Sequence, residues 1–170
     1  RPPRSTLFPY TTLFRSGFAS AAGCQLVATC DLAIASKESF FSTPGIKIGL
    51  FCSTPMVALT RAVNTKKSLE MLLTGEAIDA NHALEIGLIN KVETKQNLKK
   101  EVLNLAQKLC DLPREVLAIG KKTFYKQIDL NLSEAYNYTS NVMVENLLME
   151  ESKEGIKAFI QKRPAKWNNN

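Results

Sequence analysis

Residues 17–36 read GFASAAGCQLVATCDLAIAS, and this stretch decides the fold. Small residues gather at 21–23 and a mixed apolar run follows, which predicts a tight turn that opens a short helix. From Asp31 the apolar residues alternate weakly and end in a polar cluster. Alternation with a period of two is typical of a strand. The stretch therefore predicts a helix followed by a short strand.

The next segment, FFSTPGIKIGLF at residues 40–51, has the pattern of a strand, a turn and a second strand. Pro44 and Gly45 supply the turn, because proline fixes φ and glycine tolerates a positive φ. Beyond it, apolar residues recur at helical spacing from Thr54 to Leu73. The first half of the chain is thus predicted to mix short strands and helices.

A compact helix–strand unit is predicted at residues 78–92, IDANHALEIGLINKV. Asp79 suits the N-cap of its helix, and Gly87 stands where a left-handed residue ends one. Residues 88–92 then predict a short strand. The remaining chain has helical periodicity throughout, with Asn131 predicted to cap one helix and Ser152 the last.

The first sixteen residues do not fit any targeting segment. Pro2, Pro3 and Pro9 interrupt an amphipathic helix, and no continuous apolar core is present. The letters of Thr6–Ser16, TLFPYTTLFRS, are the translation of a string that resembles the end of a common short-read sequencing adapter. We therefore expect residues 1–16 to be a non-native artefact and exclude them from functional reasoning.

Charge and composition exclude some classes of function. The net charge is +6, but Arg1, Arg4 and Arg15 lie in the suspect segment. The rest has 22 − 3 = 19 basic and 16 acidic residues, a net charge of +3. That balance is too even to predict a nucleic-acid partner. No apolar run reaches about 18 residues, so we expect no membrane-spanning helix.

The cysteines and the single histidine give little support for a metal site or a disulfide. None of the four cysteines forms a CxxC pair, and three lie in apolar surroundings, so buried thiols are expected. His82 is the only histidine, which excludes a site built from several histidines, and we interpret it as a surface residue.

Four blocks carry a resemblance to a known family. They are residues 17–36, FSTPGIKIGL, LLTGEAIDANHALEIGLINKV and EGIKAFIQKRPAKW. In order and spacing they resemble the enoyl-CoA hydratase/isomerase (crotonase) family over nearly all of residues 17–170. The resemblance implies an α/β fold: residues 17–95 would form the C-terminal part of a spiral of ββα units, and residues 96–170 a helical trimerisation region. It also implies that roughly the first third of the domain is missing.

The family's chemistry implies a role for Ala22. Negative charge develops on the oxygen of a coenzyme A thioester, and backbone N–H groups that point at this oxygen stabilise it. The resemblance places one such donor at Ala22, in the Ala21–Gly23 turn. Tight helix packing is the alternative interpretation of these small residues.

Two departures put ordinary hydration in doubt. Family hydratases use two glutamates, at the positions that Gln25 and Gly45 occupy here. Gln25 cannot act as a base at neutral pH, and Gly45 has no side chain. The only acids between residues 17 and 69 are Asp31 and Glu38, which suit turns or the surface better. We therefore expect hydratase activity to be absent or greatly weakened.

Three further residues are candidates for substrate binding. Phe51 lies in the loop that the resemblance sets beside the acyl chain, where Ser53 or Thr54 would orient a polar acyl group or simply cap the next helix. Phe159 and Lys162 match positions that reach the adenine and phosphates of coenzyme A in relatives. Helix packing and solvation are the alternatives for these two.

The resemblance implies an acyl-CoA enzyme of fatty-acid metabolism, with coenzyme A thioester as substrate and no cofactor. The alternative is a non-catalytic acyl-CoA-binding or regulatory protein on the same scaffold. The expected assembly is a homotrimer or homohexamer, without nucleic acid or membrane. The expected location is the cytoplasm in a bacterium and the mitochondrial matrix in a eukaryote.

Overall fold

The computed structural model describes residues 12–167, with only the backbone of residues 12–14. Within this range the chain divides into two compact units, residues 12–106 and residues 107–167. The predicted boundary after residue 95 and the predicted artefact at residues 1–16 stay predictions, and residues 1–11 of that segment lie outside the described residues.

The first unit opens with two consecutive strand–strand–helix motifs. They are β1 (Thr12–Arg15), β2 (Phe18–Ser20) and α1 (Ala22–Thr29), then β3 (Leu32–Ser36), β4 (Phe40–Ser42), a 3₁₀ segment (Pro44–Ile48) and α2 (Ser53–Ala62). Each motif contributes its first strand to one sheet and its second strand to the other. Helices α1 and α2, which end the two motifs, pack against each other. The second motif therefore repeats the arrangement of the first.

The two sheets of the described chain have three strands each. The first has the order β1-β3-β6, with both pairs parallel, and the second has the order β2-β4-β5. Strand β2 runs parallel to β4, with Ser20 opposite Ser42, and β5 runs antiparallel to β4. Since β2 and β4 are parallel, the chain leaves both at the same edge of the sheet, and this edge carries the candidate site.

The first unit ends with α3 (Thr65–Thr74), β5 (Ile78–Asp79), α4 (Ala80–Glu85), β6 (Lys91–Glu93) and α5 (Lys95–Cys110), the last of which continues into the second unit. Its main core joins residues from both sheets and from α1 to α4, with Phe41, Leu59 and Leu72 almost fully buried. A smaller cluster packs Leu98 and Val102 of α5 against Ile34.

All the regular secondary structure of the second unit, within residues 107–167, is helical. It contains the end of α5, then α6 (Arg114–Gln127), α7 (Leu132–Leu148) and α8 (Glu150–Ile160). Asn131 caps α7 by accepting a hydrogen bond from the Glu134 N–H, as predicted. The repeated ββα order and this helical region confirm the predicted fold class.

The second strand predicted within residues 40–51 is wrong. Strand β4 ends at Ser42, and the chain then forms the 3₁₀ segment instead of a hairpin. Gly49 takes φ 75°, and the Leu50 N–H donates to the Gly45 carbonyl at 3.0 Å. These backbone contacts close the segment on itself, which the alternating apolar pattern of residues 46–50 did not reveal.

Three predicted boundaries also shift. The helical pattern of 54–73 is two helices, because Asn64 caps a new one by accepting from the Lys67 N–H. The short strand begins at Lys91 instead of residue 88. Helix α8 begins at Glu150, so Ser152 does not cap it and instead accepts a hydrogen bond from Asn146. The cap at Asp79 and the left-handed Gly87 are confirmed.

Candidate functional site

The turn between β2 and α1 presents an open backbone donor. Ala22 is the first residue of α1 and is exposed. Among the described residues, no acceptor is found for its N–H, which is one of the N–H groups that a helix leaves unpaired at its start. No acidic residue occupies the first turn of α1. The helix end therefore offers partial positive charge to an external anion.

Ala21 holds this turn in a backbone conformation that is rare for a residue with a side chain. Its φ is 47° and its ψ is −108°. A hydrogen bond fixes each side of the residue: its N–H donates to the Ser42 carbonyl at 3.0 Å, and its carbonyl accepts from the Gln25 N–H at 2.9 Å. Its methyl packs against the main core. The turn is thus held against local strain by neighbouring contacts.

Gln25 lies three residues after Ala22, so both fall on the same side of α1. Its side chain is half-buried, and among the described residues the amide has no hydrogen-bond partner. The amide can therefore donate to and accept from a bound group or a water molecule, but it cannot take up a proton at neutral pH.

Gly45 lies at the start of the 3₁₀ segment that follows β4. Its N–H donates to the Cys52 thiol at 3.3 Å. A methyl group built on Gly45 would lie 2.9 Å from the Cys52 Sγ and 2.9 Å from the Leu50 carbonyl oxygen. Real contacts of a Cβ atom are not this short, so the chain has no room for a side chain at position 45.

Each part of the site adjoins a buried cysteine: Cys24 lies in α1, and Cys52 contacts Gly45. Both are buried in the main core. Burial raises the pKa of the Cys24 thiol to about 12, and the nearby Cys52 contributes to the rise. The expectation of buried thiols is therefore confirmed for these two cysteines, and Cys24 is not an activated nucleophile.

The remaining predicted residues fall in two places. Phe51 is 40% exposed in the loop before α2, and the Ser53 hydroxyl donates to its carbonyl at 3.3 Å. Phe159 and Lys162 belong to the second unit, where Phe159 is 85% exposed and Lys162 follows the end of α8 with φ 52°. The first unit thus brings together Ala22, Gln25 and the Gly45 segment, while the binding roles of the other residues stay predictions.

His82 is half-buried, not a simple surface residue. It lines a cavity of about 210 Å³ between α3 and α4, whose floor includes Met71, Ile78 and Ile86. The hydrogen bond from Lys67 lowers the pKa of Glu70, another residue that lines this cavity. This cavity is separate from the β2–α1 turn.

Two features of the site were not predicted. The sequence did not reveal the strained backbone of Ala21 or the closure of Cys52 over Gly45. The available signals were an alanine at the turn and a thiol seven residues after a glycine, and neither has a specific structural meaning by itself. The described chain contains no helix that could span a membrane.

A family model described as enoyl-CoA hydratase/isomerase matches residues 15–170 of this chain. Among curated proteins, the chain is similar to enoyl-CoA hydratase domain-containing protein 3, mitochondrial. Identity is 56% with the protein of Xenopus laevis, over 89% of this chain and 52% of that protein. It is 53% with the human protein, over 90% of this chain and 50% of that protein. The chain spans about half the length of these relatives.

Solved structures show the same similarity. The crystal structure of human enoyl Coenzyme A hydratase domain-containing protein 3 superposes with a TM-score of 0.90 at 51% identity, covering 94% of this chain and 63% of that one. A crystal structure of enoyl-CoA hydratase from Mycobacterium smegmatis gives a TM-score of 0.87 at 44% identity, covering 89% of this chain and 59% of that one.

Proposed function

Because this chain belongs to the enoyl-CoA hydratase/isomerase family, we propose that its β2–α1 turn stabilises the enolate of a bound acyl-CoA thioester. The Ala22 N–H donates to the thioester oxygen on which negative charge develops, and no cofactor takes part. The exposed, unpaired Ala22 N–H at a helix start is the observation that carries this proposal. A donor of this kind contributes about 10²–10³ in rate.

The proposed reaction is not ordinary hydration. Adding water across a double bond requires a group that removes a proton from water and a group that delivers one to carbon. Gln25 and Gly45 provide neither. The loss of such groups typically costs about 10²–10⁴ in rate. The site is thus suited to thioesters whose reaction develops negative charge on the carbonyl oxygen. The candidate reactions are an isomerisation, in which a group that this chain does not supply takes the α-proton and returns it to another carbon, and thioester hydrolysis through a tetrahedral oxyanion.

A second candidate is a non-catalytic acyl-CoA-binding or regulatory protein. Gln25 and Gly45 favour this candidate as well. A site without an acid or a base at these positions could bind a thioester and leave it unchanged. Phe159 and Lys162 would contact the adenine and phosphates of coenzyme A in either case. We further propose assembly as homotrimers or hexamers, and a mitochondrial location in a eukaryote, because the similar Xenopus and human proteins are named as mitochondrial.

The test uses acetoacetyl-CoA, a thioester whose acidic α-proton makes its enolate visible by ultraviolet absorbance. The complete protein that the gene encodes is titrated with it, and we expect an enolate signal that saturates with ligand. A thioether analogue of the same acyl-CoA, which lacks the thioester carbonyl, is the matched control and should bind more weakly.

The outcomes separate the two candidates. An enolate signal together with turnover of any member of an acyl-CoA panel supports the enzyme. Saturable binding without enolate or turnover supports the non-catalytic protein. Equal affinity for the thioester and the thioether would contradict the proposed role of Ala22, and rapid hydration of crotonyl-CoA would contradict the proposed loss of hydratase activity.

A further inference from the structure

We infer that Cys52 and the Leu50 carbonyl close position 45 to any side chain, and that this closure determines which thioester reactions the site can perform. The inference rests on the proposed function, because it concerns the second of the two positions at which the family's glutamates are replaced. It names the substrate class as thioesters that react through an oxyanion at the Ala22 N–H, without addition of water across a carbon–carbon double bond.

The closure is built from contacts on both sides of Gly45. The Gly45 carbonyl accepts from the Leu50 N–H at 3.0 Å, and the Gly45 N–H donates to the Cys52 Sγ at 3.3 Å. The residues between them form a ring that returns the chain onto Gly45. Cys52, at 8% exposure, is fixed in place as the residue that precedes α2.

The ring leaves no path for a side chain at position 45. A Cβ atom there would meet the Cys52 Sγ and the Leu50 oxygen, both at 2.9 Å, and the Cys52 nitrogen at 3.4 Å. Two of these three atoms belong to the backbone, so a Cβ fits only if the loop itself shifts. The hydrogen bond from the Gly45 N–H to the Cys52 thiol opposes that shift. The absence of a carboxylate at position 45 is therefore a property of the loop as well as of the residue.

The position of the ring makes it relevant to the site. Gly45 follows β4 and Ala22 follows β2, and these parallel strands end side by side, with the Ala21 N–H bound to the Ser42 carbonyl. A carboxylate at position 45 would thus emerge at the same sheet edge as Gln25. Because the thiol fills the space instead, position 45 supplies no acid or base to this edge.

A thermal-unfolding cycle tests the closure without reference to activity. The four proteins are the wild type, Gly45→Ala, Cys52→Ala and the double variant. We expect Gly45→Ala to lower Tm by several degrees and the double variant to lose less than the sum of the single losses, since one of the close contacts is gone. Gly120→Ala is the matched control: a Cβ at Gly120 meets no atom within 4 Å, so its Tm should be unchanged or higher. If the Tm losses of the single variants simply add in the double variant, or if Gly45→Ala is as stable as the wild type, the inferred closure is wrong.

Reaction specificity is tested by restoring two carboxylates in the complete protein. Gln25→Glu/Gly45→Glu is compared with the same variant carrying Cys52→Ala, and hydration of crotonyl-CoA is measured for both. We expect hydration to be roughly 10²-fold faster in the triple variant than in the double variant. Equal hydration rates in the double and triple variants would overturn the inference. So would a folded triple variant that binds the ligand and shows no hydration. If neither variant folds, the thermal cycle alone decides. Failure of the proposed function has a different signature, because wild-type protein would then give no enolate signal with acetoacetyl-CoA.

Discussion

Ala21 shows how a single residue can hold a site at a local energetic cost. Positive φ is rare for a residue with a Cβ atom, and strain of this kind typically costs about 1–3 kcal/mol. The cost is borne here because Ser42 and Gln25 bond to either side of the residue. The consequence is a helix start whose first N–H has no acceptor among the residues that the structure describes.

We predict that Ala21→Gly raises the melting temperature. Glycine adopts φ 47° without strain, and the relief should exceed the lost methyl packing by about 1 kcal/mol, or roughly 2–4 °C. Ala28→Gly is the control, since Ala28 lies within α1, the helix that Ala21 precedes, and its replacement should destabilise by about 1 kcal/mol. Thermal unfolding followed by circular dichroism measures both. A lower Tm for Ala21→Gly would show that the methyl contact outweighs the strain.

The buried thiol of Cys24 makes stability fall at alkaline pH. Its pKa is about 12 in the folded protein against 9.0 for an unperturbed thiol, so the folded state keeps the proton longer. This contribution is complete below pH about 9 and declines as pH rises toward 12, because only the unfolded state ionises there. Denaturant unfolding measures this at pH 8 and pH 10. The free energy of unfolding should fall less between these two pH values for Cys24→Ala than for the wild type. An identical loss in the two proteins would contradict the assignment.

At the scale of elements, the segment after α8 is fastened back onto that helix. Arg163 forms two hydrogen bonds to the Glu154 carboxylate, at 2.7 Å and 2.9 Å, and the Lys166 N–H donates to the same group at 2.9 Å. These bonds hold the pKa of Glu154 down at about 2. Trp167 then lies over Gly155, where an added Cβ would be 3.3 Å from its ring.

Glu154→Gln should therefore release this segment. Trp167 is the only tryptophan, so its fluorescence reports the fold-back directly. We expect a red-shifted emission in the variant, and in the wild type as pH falls from about 4.5 toward about 2, because the lowered pKa means that the carboxylate stabilises the contact until it is protonated. Glu150→Gln is the control, since Glu150 pairs with Lys153 at the exposed helix start and takes no part in the contacts of Arg163 and Lys166 described above. Unchanged emission in Glu154→Gln would contradict the role of the ion pair.

The elements that the sequence predicted correctly are those with local signals. Asp79 and Asn131 are capping residues, and their side chains accept the expected backbone N–H groups. Gly87 takes a left-handed φ of 81° at its helix end. The predicted position of Ala22 at the start of a helix also depended on small residues adjacent in sequence.

Features that depend on contacts between distant residues were not predictable from the pattern. Residues 46–50 alternate like a strand, but Gly45, Gly49 and Leu50 close the chain into a 3₁₀ segment. Ala21 is strained because Ser42, on another strand, accepts its N–H. In each case the deciding partner is a backbone group, which carries no signature in the amino-acid sequence.

At the scale of the whole molecule, the helical unit leaves much apolar surface uncovered. Helix α7 has no fully buried residue within residues 132–148. Leu132, Tyr136, Met143 and Leu147 are between 52% and 76% exposed and recur at helical spacing. Contiguous exposed apolar surface of this kind typically marks an interaction site. It fits the proposed assembly into trimers or hexamers.

Met143→Glu should weaken that assembly. The side chain is 60% exposed in the monomer, so the charge costs little when the chain is alone, but burial against a second copy would require its desolvation. We expect the complete protein to shift toward smaller species by at least about tenfold in dissociation constant, measured by sedimentation velocity over a range of concentrations. Asn141→Glu adds the same charge at an exposed polar position of the same helix and should leave the assembly intact. If both variants sediment like the wild type, this stripe of α7 is not the surface that joins the copies.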